Sequence, residues 1–171
     1  VAQALALILS KKKNKLIITR PVVEAGENLG FLPGDLEQKL NPYLRPLRDA
    51  METVLSIDTV KHLFEAGIIE VAPLAYMRGR TLNNAVIILD EAQNTTCSQM
   101  KMFLTRMGEN SKVFITGDIT QIDLPKKQTS GLVHALEVLY KINDIGFMEL
   151  TTDDVVRNSL VKKIVKAYEN E

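Results

Sequence analysis

The stretch Val86-Ile87-Ile88-Leu89-Asp90-Glu91-Ala92-Gln93 constrains this chain more than any other. Four large aliphatic residues run straight into two acids, with no turn residue between them. A continuous apolar run of this length predicts a strand buried on both faces, as in a parallel sheet. Its C-terminal end then delivers Asp90 and Glu91 to the sheet edge at which ligands of open α/β folds bind. Adjacent carboxylates there suit nucleotide hydrolysis, one holding Mg²⁺ and the other polarising the attacking water. This is the Walker B arrangement. The plainer alternative is a buried strand that ends in a solvated acidic turn.

The rest of the chain supplies elements around that strand. Val1 to about Ser10 reads as a largely buried helix that has strong helix formers from its first residue and no capping residue ahead of it. That is the pattern of a chain cut in mid-helix. Lys11 to Lys15 is either a solvated turn or a phosphate contact. Leu16-Ile17-Ile18-Thr19 predicts a strand, and Thr19 and Arg20 at its end share an edge with Asp90 if the two strands are parallel. Pro21 to Gly34 is a long connection of the kind that is more often functional than idle. Leu36, Leu40, Leu44, Leu47, Met51 and Val54 recur at helical spacing, interrupted by Pro42 and Pro46. A short helix over 58–66 ends at Gly67, and a strand covers Ile68 to Val71. Arg78 and Arg80 flank Gly79 beside Tyr76. They could bind phosphate or reach a neighbouring subunit, or equally cap a helix or pair with local acids.

Beyond Gln93, a helix is expected from about Ser98 to Met107, apolar at Met100, Phe103, Leu104 and Met107. Val113 to Thr116 predicts another strand, followed directly by Gly117-Asp118 and, three residues on, by Gln121. This is a second strand end of the same kind. A helix over 130–140, a last strand over Gly146 to Leu150 and a final amphipathic helix with Leu160, Ile164, Val165 and Tyr168 complete the expectations. Arg157 on its own reads as a salt-bridge residue.

Composition excludes little. The 171 residues carry 21 basic and 21 acidic side chains, so net charge argues neither for nor against nucleic acid. A single cysteine, Cys97, rules out an intramolecular disulfide and a cysteine metal site, and favours a reducing, cytoplasmic setting. The longest apolar run is too short to span a bilayer.

Taken together, these motifs resemble the PhoH-like proteins, phosphate-starvation-inducible P-loop ATPases of bacteria. The resemblance rests on Thr19-Arg20-Pro21, Glu24 to Glu27, Leu29 to Asp35 and Pro42 to Leu47. It continues through Tyr76 to Thr81, Leu89 to Asn94, Gln99 to Arg106, Thr116 to Asp118, Gln121 to Pro125 and Asp154 to Arg157. It covers nearly the whole chain in the family's order. It implies an α/β, RecA-like P-loop NTPase fold with a parallel sheet flanked by helices, in a single domain over 1–171, and binding of ATP with Mg²⁺. By similarity to superfamily 1 helicase cores, Asp90 would coordinate the metal and Glu91 would orient water. Gln93 and Gln121 would sense the γ-phosphate, and Asp118 would support the metal and water shell with Gly117 beside it. Thr19 and Arg20 would border the nucleotide and Arg157 would lie near the phosphates. Arg78 and Arg80 would serve RNA or a neighbouring subunit. RNA remodelling and a homo-oligomeric ring follow from the same analogy, with no membrane partner.

One departure matters. The family's Gly-x-x-x-x-Gly-Lys-Thr phosphate loop and its strand are missing, and no Gly-Lys pair occurs anywhere in the sequence. Without backbone N–H groups and a lysine to cradle phosphate, the remaining acids repel a triphosphate. The chain alone is therefore expected to be inactive. The rival readings are a nucleic-acid-binding or assembly module that has lost its nucleotide site, and a superfamily 1 helicase fragment. The loop from Arg20 to Asp35 argues against the helicase fragment.

Overall fold

The computed structural model describes residues 1–21 and 45–151, together with Asp154, Val156, Leu160, Val161, Ile164 and Ala167. Two compact units are distinguishable, Val1–Val138 and Leu139–Glu171. In the first, the elements in chain order are α1 (Ala2–Leu9), β1 (Lys15–Arg20), helical residues 45–52, α2 (Ile57–Glu65) and β2 (Ile69–Pro73). A 3₁₀ turn (Leu74–Met77), β3 (Ala85–Leu89), a second 3₁₀ turn (Ala92–Asn94), α3 (Cys97–Leu104), β4 (Lys112–Ile115) and α4 (Gly131–Leu139) follow.

The four strands form one parallel sheet in the order β2-β1-β3-β4. Parallel neighbours need crossover connections, and the helices between strands supply them. Side chains alternate between faces. Leu16 and Ile18 of β1, in register with Val86 and Ile88 of β3, join Ala4, Leu5 and Ile8 of α1, Met51, and Val60 and Leu63 of α2 in one apolar cluster. Ile17, Ile87 and Leu89 point the other way and are just as buried. The buried residues outside the first cluster include Leu74 and Met77 of the first 3₁₀ turn and Met100 and Phe103 of α3. Burial on both faces explains why β3 reads as an unbroken aliphatic run rather than an alternation. Each such side chain stabilises the fold by about 1.5–3 kcal/mol.

Helix ends follow local chemistry. Ser56 caps α2 by accepting from the Thr59 N–H, and Gly67, at φ +66°, ends it with Ile68 N–H donating to the Leu63 carbonyl. Thr96 and Gln99 form a reciprocal capping box at the start of α3.

Several expectations need correction. Met107 lies beyond the end of α3 and is exposed, because the helix stops at Thr105, whose hydroxyl turns back to the Lys101 and Met102 carbonyls. Val54 is likewise past the end of helical residues 45–52 and exposed, whereas Leu47 and Met51 are in the core. Gly146 to Leu150 forms no strand: no neighbour pairs with it among the described residues, and Met148 and Leu150 are 88% and 73% exposed. An apolar run without a hydrogen-bonding neighbour does not make a strand. Leu36, Leu40 and Leu44, the loop motifs of 22–44, Arg157, Val165 and Tyr168 lie outside the described residues.

In the second unit, Asp154 Oδ2 accepts from both the backbone N–H and the hydroxyl of Thr151. These bonds hold the Asp154 carboxyl below its ordinary range. Among the described residues no helix is long and apolar enough to cross a membrane.

Candidate functional site

The register of the sheet assembles the site. Thr19 is level with Leu89, and Leu89 with Ile115, so the next residues of β1, β3 and β4 stand in a row: Arg20, Asp90 and Thr116. Backbone bonds carry the ladder to this point, from Asp90 N–H to the Thr19 carbonyl and from Thr116 N–H to the Leu89 carbonyl. The side chains then close on one another. Arg20 Nη2 donates to Asp90 Oδ2 at 2.7 Å, and the Thr116 hydroxyl donates to Asp90 Oδ1 at 2.9 Å. Thus Asp90 is held from both flanks while 24% of its side chain stays exposed.

Glu91 adopts a left-handed backbone, φ 53° and ψ 39°. A non-glycine residue pays about 1–2 kcal/mol for this conformation. The bend turns the chain out of β3 into the second 3₁₀ turn, fixed by Ala92 N–H donating to the Thr116 carbonyl at 2.9 Å. It leaves the Glu91 side chain 45% exposed, the more open of the two acids. Arg20 Nη2 also reaches Glu91 Oε1 at 3.3 Å, and Gln93 Nε2 donates to Glu91 Oε2 at 2.7 Å.

Gln93 is almost wholly buried, and its amide joins the two strand ends. Besides Glu91, Nε2 donates to the Gln121 carbonyl at 3.2 Å, while Oε1 accepts from the Asp118 N–H at 3.2 Å. Next to it, Asn94 Oδ1 accepts from the Asp123 N–H at 2.8 Å. Two consecutive buried amides therefore stitch residues 118–123 to the turn after β3. Gly117 is required by this closeness, since a Cβ there would come within 2.7 Å of both Gln93 Oε1 and Leu132 Cδ2. Asp118 Oδ1 accepts from the Thr120 N–H and hydroxyl, and Oδ2 accepts from Gln121 Nε2 at 2.8 Å. The Thr120 donors above all hold the Asp118 carboxyl below its ordinary value.

The residues singled out in the sequence thus divide. Asp90, Glu91, Gln93, Gly117, Asp118 and Gln121 come together with Arg20 at the C-terminal edge of the sheet. Thr19 does not reach that surface: the ladder continues through Arg20 and Pro73, so Thr19 is inside the strand and fully buried. Arg80 takes the local-acid alternative. Its guanidinium grips Glu70 of β2 at 2.5 and 2.9 Å, with Lys15 on the same carboxylate at 2.7 Å. Arg78 is exposed and has no side-chain partner among the described residues. Thr116, Asn94 and Asp123 were not anticipated as site residues. Only the strand register, with Thr116 level with Asp90, marks the first of them.

A parallel sheet flanked by helices, with polar residues gathered at consecutive strand ends, is consistent with an α/β RecA-like P-loop fold. The family model described as PhoH-like protein matches residues 1–169, and the chain belongs to that family. A PhoH-like protein of Bacillus subtilis is 58% identical over all 171 residues, which cover 54% of that relative. One from Synechocystis is 56% identical over 97% of the chain and 51% of its own length. Protein PhoH of Escherichia coli K12 is 47% identical over 98% of the chain and 48% of its own length. The chain therefore spans about half the length of these relatives.

Proposed function

We propose that this chain is the metal- and water-handling half of an ATPase site, hydrolysing ATP to ADP and phosphate. The observation that carries the reading is the lateral row of Arg20, Asp90 and Thr116 across three parallel strand ends, with Glu91 turned out beside it. The donor set fits Mg²⁺. No cluster of three or more acid, histidine or cysteine ligands occurs among the described residues, so a closed protein cage is not on offer. A partly exposed aspartate beside a second carboxylate suits an ion that takes one or two protein carboxylates and completes its shell with water and substrate phosphate.

In this reading Asp90 holds the ion, with the Thr116 hydroxyl fixing its other oxygen. When bound, Mg²⁺ neutralises charge on the phosphate oxygens. Glu91, more open than Asp90, orients the attacking water and takes its proton, and Gln93 fixes the direction of its carboxylate. Asp118 and Gln121 border the same sheet edge through the Gln93 amide. A phosphate-cradling loop is needed to complete such a site, and these residues contain no Gly-Lys pair to form one. Alone, the chain binds ATP poorly and turns it over hardly at all. RNA remodelling and ring assembly belong to the same proposal, and Arg78, exposed and without a side-chain partner among the described residues, is the cation we assign to RNA or a neighbouring subunit.

The test uses a longer protein that contains both these residues and a Gly-Lys-Thr loop. Glu91→Gln should lower turnover by at least about a hundredfold while nucleotide binding persists. Hydrolysis undiminished by this substitution would refute the role given to Glu91.

A further inference from the structure

The four carboxylate oxygens of Asp90 and Glu91 are all engaged, and the engagement is of two kinds. The outer two accept from neutral donors, Asp90 Oδ1 from the Thr116 hydroxyl and Glu91 Oε2 from the Gln93 amide. The facing two, Asp90 Oδ2 and Glu91 Oε1, share a single nitrogen, Arg20 Nη2, at 2.7 and 3.3 Å. One cationic atom thus serves two acids from adjacent residues, and it occupies the Asp90 oxygen that the Thr116 hydroxyl leaves open to a cation.

Resting on the function proposed above, we propose that Arg20 is a built-in counter-ion for this acid pair, one that a divalent cation must displace to bind. Three observations support the exchange. First, each carboxylate also accepts from a neutral donor, the Thr116 hydroxyl or the Gln93 amide, which holds it independently of Arg20. Second, Arg20 Nε is buried with no hydrogen-bond partner among the described residues, so the posture that brings Nη2 to the acids leaves another donor of the same guanidinium unsatisfied there. Third, one guanidinium against two carboxylates leaves a net negative charge, and the pair still attracts a dication while Arg20 is in place. The backbone of Arg20 is fixed by its register with Pro73, which confines the movement to the side chain. Arg20 is accordingly a positioning residue. It prevents unscreened repulsion between Asp90 and Glu91 before the cation arrives, and it frees a guanidinium at the site edge afterwards.

The experiment titrates the ¹⁵N-labelled 171-residue chain with Mn²⁺ and follows paramagnetic broadening of the Asp90, Glu91 and Thr116 amides. Loss of the competing ion pair in Arg20→Ala should tighten Mn²⁺ binding about tenfold. Arg20→Lys, whose ammonium is a point charge without the guanidinium fork, should fall between the two. Asp90→Asn should remove the effect in both backgrounds. The spectra report folding directly, and Arg20→Gln, which removes the charge but keeps a polar side chain, gives the same comparison if the alanine variant is unfolded. Unchanged or weaker Mn²⁺ binding in the folded Arg20 variants overturns the counter-ion role and leaves the assignment of Asp90 standing. Absence of Asp90-dependent broadening in every protein overturns the metal assignment itself, and the counter-ion role with it. These failures differ from that of the Glu91→Gln assay, which reads turnover.

Discussion

Replacing Glu70 by glutamine removes the acceptor that Arg80 and Lys15 share, and its effect can be worked out in advance. The paired guanidinium, and to a lesser degree Lys15, lower the Glu70 carboxyl from 4.5 to about 2, against a smaller opposing effect of burial. A group depressed in the folded state stabilises fully above its unfolded value, and that stabilisation is lost as pH falls through the folded one. Taken at face value the shift amounts to about 3 kcal/mol. The side chains of Glu70, Arg80 and Lys15 are 28%, 31% and 39% exposed, so solvent screening reduces this to about 1–2 kcal/mol. Urea unfolding followed by circular dichroism, for the parent and Glu70→Gln, should show that difference at pH 7. The gap should persist to about pH 5 and close between there and about pH 2, with m-values unchanged. Curves that run parallel over the whole range would refute the account of Arg80 as a residue held by Glu70.

Two further outcomes are expected. Gly131→Ala should destabilise by about 1–3 kcal/mol, because a Cβ at that position would lie 2.5 Å from the Thr96 carbonyl oxygen and 2.6 Å from Thr95 Oγ1. A thermal midpoint equal to the parent's would show that α4 does not start against that turn. Arg78→Ala in the longer, loop-containing protein should weaken RNA binding several-fold, with a shallower dependence on salt, whereas Arg80→Ala should act mainly through stability. Equal effects of the two on RNA affinity, measured by fluorescence anisotropy, would remove the distinction drawn between them.

The central strand and its acids were legible because burial on both faces leaves an unmistakable aliphatic run, and because a strand must end where its acids begin. The pairing of two strand ends at one edge was legible for the same reason. The connections between them were not. Gln93 reads in sequence like a polar residue free to meet a ligand; its burial depends on Asp118 and Gln121 arriving from another strand, which spacing along the chain does not reveal. The left-handed turn at Glu91 leaves no glycine or asparagine to announce it. Gly146 to Leu150 failed in the opposite direction, since hydrophobicity records a preference for burial and carries no information about whether a neighbouring strand is at hand. Met107 continued a helical pattern past the point at which the Thr105 hydroxyl had already ended the helix.

The paired amides of Gln93 and Asn94 have a mechanical consequence. The segment after β4 and the acid-bearing turn after β3 are not independent parts but one welded piece, joined through side chains that solvent hardly reaches. The Gln93 amide nitrogen donates both to the Gln121 carbonyl and to the Glu91 carboxylate, so the aim of that carboxylate is tied to the position of residues 118–123.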